Sequence, residues 1–227
     1  MKLHSLFVIP AAAVLVIAAG SYPSVAADAT KTVQSSTTAF QQFMTSGRIP
    51  PRILRSSQGL AIIPNVIQAG FFLGGQRGQG VMVVRNPDGG WSDPTIITLT
   101  GGSIGLQFGA KSSDIVLAFQ DQKSIRKVYG SNFELGGNVS GTAGPEGAQA
   151  VYPSDSTGNI YSYFKSEGLF GGVSLSGVKL AFNSGDTGRL YGQKNITARQ
   201  VFSGQIPTKP PVVSSLQSVL RRSVSSR

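Results

Sequence analysis

Hydrophobic positions along the chain follow two rhythms. Residues 28–48 are mostly Ser, Thr, Ala and Gln, yet Val33, Phe40, Phe43 and Met44 recur at helical spacing and predict a helix with one apolar stripe, stopped near Gly47. Ile49-Pro50-Pro51-Arg52 opens a new element. Proline suits the first turn of a helix, so residues 51–57 predict a short helix ended by Gly59. From Leu60 to Phe182 the rhythm changes to short apolar runs punctuated by glycine, with five Gly-Gly pairs. Asp88-Gly89, between residues 81–85 and 95–99, predicts a hairpin. Ile104, Leu106 and Phe108 alternate with polar or small residues, as do Phe133, Leu135 and Val139, and both predict half-buried strands. The apolar phase flips between Val173, Leu175 and Val178, Leu180, which a bulge at Gly177 would reconcile. The run Gly74-Gly75-Gln76-Arg77-Gly78-Gln79-Gly80 is expected to be a hairpin turn. Three more short helices are predicted: residues 122–129 capped by Asp121, residues 197–202 capped by Thr197, and residues 212–222 after Pro210-Pro211. Together these predict an α+β fold, a strongly curved, barrel-like antiparallel sheet with short flanking helices at both chain ends.

The N-terminal segment changes the picture of where such a fold would work. Lys2 precedes 14 apolar-rich residues, 6–19, too few for a comfortable membrane span, and Ser24-Val25-Ala26-Ala27 offers small residues at a cleavage site. Residues 1–27 are therefore expected to be a secretory signal, residues 28–48 an N-terminal helical segment and residues 49–227 one domain. With no Cys in the chain, an N-terminal lipidated cysteine is excluded. The expected location is exported, periplasmic or secreted.

Of 227 residues, 20 are Lys or Arg and 10 Asp or Glu, a formal charge of +10. Outside the cytoplasm, a basic protein most readily meets anionic lipid head groups, polyanionic glycans or acidic proteins; nucleic acid is not an expected partner there. The sole histidine, His4, lies in the signal segment. The processed chain then offers neither a histidine base nor a thiol, which excludes Ser-His-Asp and Cys-His mechanisms and the usual zinc sites. Gly101-Gly102-Ser103-Ile104-Gly105 has the letters of a nucleophile elbow, but an alternating strand comes next in the chain, not a helix. Ser162-Tyr163-Phe164-Lys165 has the letters of Ser-x-x-Lys, but in a β-prone stretch, where residues three apart face opposite ways. The sequence thus predicts no enzyme, no cofactor and no metal; Asp114, Asp121 and Glu134 are the carboxylates whose clustering would argue otherwise.

Two basic groups remain. Arg48, Arg52 and Arg55 stand at i, i+4 and i+7, with Pro50 interrupting a continuous helical face. Lys123, Arg126 and Lys127 share one predicted helix at i, i+3 and i+4. Either group can hold phosphate oxygens by charge-assisted hydrogen bonds. Phe40, Phe43 and Met44 are the candidates for apolar insertion into lipid.

From Ile49-Pro50-Pro51 onward the sequence resembles the SYLF domain family, also called the Ysc84 actin-binding domain. The resemblance is carried by Gly59-Leu60-Ala61-Ile62-Ile63-Pro64, Ala69-Gly70-Phe71, Asp88-Gly89-Gly90-Trp91-Ser92-Asp93-Pro94, Gly105-Leu106-Gln107-Phe108-Gly109 and Ser113-Asp114-Ile115-Val116-Leu117. It continues through Gly168-Leu169-Phe170-Gly171-Gly172-Val173 and Tyr191-Gly192 to Gly204. It implies a lipid-binding module: eukaryotic members bind phosphoinositides and, in fungi, actin, while bacterial members are exported envelope proteins. It implies no catalytic residues. In eukaryotic members an amphipathic N-terminal helix contributes to membrane binding, a segment that maps by position onto residues 31–44 here. Two departures stand out. Ala148 follows Gly147 where the family often carries arginine, and Ser166-Glu167 stands where a second basic residue is common.

The expectation is a non-enzymatic exported protein, of bacterial type, that contacts anionic phospholipid or a membrane surface through Arg48, Arg52, Arg55, Lys123, Arg126 and Lys127, with apolar insertion by Phe40, Phe43 and Met44. The alternative is an envelope protein–protein or glycan interaction module.

Overall fold

The computed structural model describes residues 25–71, 73–104, 109–130, 133–135, 141–143, 160–166, 169–172 and 177–225. Residues 1–24 of the expected signal, Leu106 and Phe108, Val139, and Val173 and Leu175 lie outside them.

The chain opens with helix α1 (Val25–Ser46) and helix α2 (Pro51–Ser56). Four long strands come after them: β1 (Gly59–Phe71), β2 (Leu73–Val84), β3 (Thr95–Ile104) and β4 (Gly109–Phe119). Helix α3 (Gln122–Gly130) leads to the shorter strands β5 (Phe133–Leu135), β6 (Gly141–Ala143), β7 (Ile160–Ser166), β8 (Leu169–Gly172) and β9 (Val178–Phe182). Helices α4 (Ser184–Tyr191), α5 (Ala198–Phe202) and α6 (Pro211–Ser225) end the fold. Among the described residues the strands form one nine-stranded sheet in the order β5-β9-β3-β2-β1-β4-β7-β6, with β8 paired to β7. All these pairs are antiparallel except β6 with β7.

The sheet is not closed, which corrects the expected barrel. Its ends are β5 and β6, and no pairing between them occurs among the described residues. The physical reason lies in the central strands, which are apolar on both faces. Leu60, Ile62, Val81, Val83 and Val116 point into one hydrophobic layer, and Ala61, Ile63, Met82, Ile115 and Leu117 into a second. A small barrel would gather one face of each strand inside. Here α1, α2 and α6 contribute Phe40, Phe43, Ile53, Leu54, Val213, Leu216 and Leu220 to the first layer. Helix α3 contributes Ile125 and Val128 to the second, where Tyr129 stacks on Phe202 with ring centroids 4.8 Å apart.

The helix bounding the fold at its N-terminal side is also not short: α1 runs 22 residues. Its buried positions Ala29, Val33, Ser36, Phe40 and Phe43 form a continuous stripe, and Ser36 Oγ donates to the Ile62 carbonyl at 3.2 Å, fixing the helix over β1. The positive φ of Gly47, 64°, ends it.

The glycine run from Gly74 to Gly80 is no turn. It lies within β2, paired with β3 on one side and, from Gly74 to Arg77, with β1 on the other. A side chain at Gly80 would place Cβ 2.2 Å from the Ile62 carbonyl oxygen, and one at Gly78 would place it 2.7 Å from Val66 Cγ2. These glycines exist because β1 bulges across them: its register against β2 shifts between Ile62 and Ile67, with Asn65 at φ 50°.

Candidate functional site

Helix α2 is short because of the residues that bracket it. Pro51 occupies its first turn, and Ser57, extended at the C-cap, returns its backbone N–H to the Ile53 carbonyl. Ile53 and Leu54 anchor it in the core, leaving Arg52 half-buried and Arg55 exposed. Arg48 does not share their face. It comes directly after the left-handed Gly47 in the turn between α1 and α2, where it is exposed.

The carbonyls at the end of α2 are held by Arg85, a residue that the sequence patterns did not single out. Its Nη2 donates to the Leu54 carbonyl at 2.7 Å and its Nε to the Ser57 carbonyl at 3.2 Å, while Nη1 donates to Gly89 O at 2.9 Å. Arg85 closes the β2–β3 hairpin, bridged to Trp91. Its only sequence signal is its place just before the Asn86–Gly90 turn.

Helix α3 is opened by Asp121, whose Oδ1 accepts from the Ser124 backbone N–H at 2.8 Å and whose Oδ2 accepts from Ser124 Oγ at 2.9 Å. Ser124, Ile125 and Val128 are buried, so Lys123, Arg126 and Lys127 are left on the exposed face. The two helices adjoin at one end of the sheet, where β1 begins and β4 ends. Ser56 Oγ, at the end of α2, donates to Gln120 Oε1 at 2.7 Å, and Gln122 Nε2, at the start of α3, donates to Gln58 Oε1 at 3.3 Å. The end of α2 and the start of α3 thus come close, but α2 packs on the first hydrophobic layer and α3 on the second, so the two basic groups sit on helices that cover opposite faces of the sheet. Among the described residues, Arg55, Lys123, Arg126 and Lys127 have no carboxylate partner.

The expected insertion residues are corrected by the structure. Phe40 and Phe43 are 0% exposed, packed under α1 against the sheet, and Met44 is partly buried against the same layer. A stripe at helical spacing finds its apolar cover in this protein's own sheet, so these three residues are core, not a membrane anchor. The only large apolar side chain strongly exposed among the described residues is Ile67, on β1, 57% exposed.

The catalytic look-alikes fall apart as well. Ser103 lies in β3 opposite Gly74. Ser162 and Lys165 lie in β7, where Lys165 Nζ donates to Gln42. Asp114 accepts from the Asn65 backbone N–H at 3.0 Å, Asp121 caps α3, and Glu134 pairs in register with Lys179 on β9, so the three carboxylates do not converge. Among the described residues no three His, Cys, Asp or Glu side chains group as metal ligands, and no helix is long and apolar enough to cross a membrane.

Comparison with known proteins settles the family. The sequence profile of the Ysc84 family, described as "Las17-binding protein actin regulator", matches residues 100–223, more than half of the chain. The chain belongs to the Ysc84 (SYLF) family. Among its relatives is the protein named YSC84 of Saccharomyces cerevisiae, 36% identical over 198 residues, covering 85% of this chain and 42% of the yeast protein. The SH3 domain-containing YSC84-like protein 1 of Xenopus laevis is 35% identical over 178 residues, 76% of this chain and 52% of the frog protein. LAS seventeen-binding protein 3 of Saccharomyces cerevisiae is 39% identical over 178 residues, 76% of this chain and 38% of that protein. The chain thus spans about half the length, or less, of these relatives.

Proposed function

We propose that this protein is a non-enzymatic, exported binding module that seats the exposed basic face of α3 on an anionic phospholipid surface. The observation that carries this reading is the basic face of α3, where Lys123, Arg126 and Lys127 are exposed side by side and, among the described residues, without carboxylate partners. Arg52 and Arg55 on α2, and Arg48 in the turn before it, add positive charge on the opposite face of the sheet. Each such residue near an anionic membrane contributes roughly 1 kcal/mol. Export is supported by the basic start, apolar run and small residues of positions 1–27. A non-enzymatic role is supported by the relatives' names, none of which states a catalytic activity.

Co-sedimentation with phosphatidylglycerol-containing and pure phosphatidylcholine vesicles tests the proposal. Binding is expected only to the anionic vesicles and should fade between about 0.1 M and 1 M salt, as the Debye length falls from about 10 to 3 Å. Lys123→Glu with Arg126→Glu and Lys127→Glu should weaken it by about a hundredfold or more. Unchanged binding by that triple variant overturns the assignment.

A protein partner is the second reading, favoured by the family description, which names Las17 binding. Capture of an acidic protein that survives both high salt and detergent would support it over lipid. An envelope glycan would be marked by binding to the polymer without lipid present.

A further inference from the structure

An open pocket of about 510 Å³ lies between the β2–β3 turn and the chain that links α5 to α6. Among the described residues, two buried side-chain polar atoms lack a hydrogen-bond partner, Trp91 Nε1 and Asp93 Oδ2, and both belong to residues that line this pocket. Trp91 is 6% exposed and Asp93 2%. Asp93 Oδ1 accepts from Gln217 Nε2 at 2.8 Å, and Oδ2 keeps an ion pair with Lys209 Nζ at 2.8 Å that is not aligned as a hydrogen bond. The carboxylate's charge is thus balanced while one of its oxygens still lacks a donor. Buried polar groups are nearly always paired, so an orphan donor and an orphan acceptor in the wall of one pocket point to a ligand that pairs them. The volume falls within the 300–1,000 Å³ or so typical of small-ligand sites.

We infer that this pocket binds a neutral sugar ring, whose hydroxyls accept from Trp91 Nε1–H and donate to Asp93 Oδ2. A hydroxyl is the group that does both. An anion would satisfy the indole and set like charge against Asp93, a cation would meet Lys209, and an apolar ligand would leave both orphans unpaired. The rim offers the same mixture. The Asn86 amide donates and accepts, and the exposed Asp88 carboxylate, whose Oδ1 accepts from the Gly90 N–H at 2.8 Å, has further acceptor capacity. Arg85 covers one face of the Trp91 ring, so Trp91 serves through its N–H, and the half-buried ring of Phe202 supplies apolar surface for the sugar's C–H groups. The site is distinct from the basic face of α3 and does not rest on the lipid reading.

Trp91 is the sole tryptophan, so its emission reports a hydrogen bond formed at Nε1. Titration of the full chain with glucose, galactose, mannose, ribose and N-acetylglucosamine is expected to shift that emission saturably with at least one of them, with one-to-one binding by calorimetry. Tetrahydropyran, a sugar ring stripped of its hydroxyls, should give no shift, and neither should inorganic phosphate. Two variants locate the site, both followed by calorimetry. Trp91→Phe removes the donor and keeps an aromatic ring beside Arg85, and should weaken the bound sugar about tenfold, the loss of one hydrogen bond. Ser203→Trp fills the pocket from an exposed position at the end of α5, which spares the core, and should weaken it at least tenfold. No saturable response to any of the five sugars, an equal response to tetrahydropyran or phosphate, or unchanged affinity in both variants overturns the site.

Discussion

Arg85 lays its guanidinium over the ring of Trp91, 3.8 Å from the centroid, while the same guanidinium ties down the carbonyls of Leu54 and Ser57. One side chain thereby couples the β2–β3 hairpin to the end of α2, and so sets where Arg52 and Arg55 stand relative to α3. A cation–π contact contributes about 0.5–2 kcal/mol and a charge-assisted hydrogen bond about 1.5–3. Arg85→Ala should therefore cost about 3 kcal/mol of stability. Arg85→Lys should recover only part of that, because an ammonium cannot span three carbonyls in a plane. Trp91 is the only tryptophan of the chain, so urea unfolding followed by its emission reports both the stability and the loss of the stack. A variant whose unfolding midpoint and emission match the parent protein would show that the contact contributes nothing.

A second prediction concerns the glycines of β2. At Gly80 an added Cβ would sit 2.2 Å from a backbone oxygen of β1, at Ile62, which cannot swing aside as a side-chain tip can. Gly80→Ala should destabilise by about 3 kcal/mol, at the upper end of overpacking costs. At Gly75 the nearest atom to an added Cβ is the Gly101 carbonyl oxygen at 3.9 Å, ordinary contact. Gly75→Ala should be close to neutral by comparison. Thermal unfolding of the pair checks this, and similar losses in both would remove the close approach of β1 as the cause.

These glycines mark where the sequence stops being legible. A glycine run signals either a turn or a close approach, and only the bulge at Asn65 in the neighbouring strand decides between them. Where a local hydrogen bond makes the signal, the sequence sufficed. Asp121 opens α3, Thr197 and Gln200 form the capping box of α5, and Gly89, at φ 82°, turns the hairpin. Helix α4 escaped because Gly185 and Gly188 weaken its pattern, although Asn183 caps it by accepting from the Asp186 N–H. The site was legible only in its parts. The spacing of Lys123, Arg126 and Lys127 marked one face of a helix, but that α2 adjoins it depends on Gln58 meeting Gln122, 64 residues away. Periodicity likewise marked the apolar stripe of α1 without saying what covers it.

That stripe yields the third prediction. Phe43 is fully buried with Phe40 in the layer between α1 and the sheet. Phe43→Ala should cost about 3–5 kcal/mol, the range for emptying a buried aromatic position. A residue that inserts into lipid would behave in the opposite way, sparing stability and losing vesicle binding. Denaturant unfolding and vesicle co-sedimentation on the same variant separate the two. Intact stability with lost binding would return Phe43 to the membrane face.

The last prediction is a pH dependence with a definite sign. Tyr191 Oη donates to the Pro94 carbonyl at 2.7 Å, and burial, reinforced by the nearby Asp93 carboxylate, pushes its phenol well above the usual value near 10. Above pH 10 the unfolded chain releases this proton while the folded protein keeps it. The folded state then binds more protons, and stability falls as pH rises, by about 1.4 kcal/mol per pH unit for one such group. Burial also raises Tyr129, on α3, so two groups contribute to the alkaline slope. Tyr191→Phe should cost about 1–3 kcal/mol at pH 7 by leaving the Pro94 carbonyl without its donor. The gap between the variant and the parent protein should then narrow by about 1.4 kcal/mol at pH 11, because the variant has no proton to hold at this position. Urea unfolding at pH 7, 9, 10 and 11 measures both terms, and a constant gap across that series would show that Tyr191 is not a source of the alkaline instability.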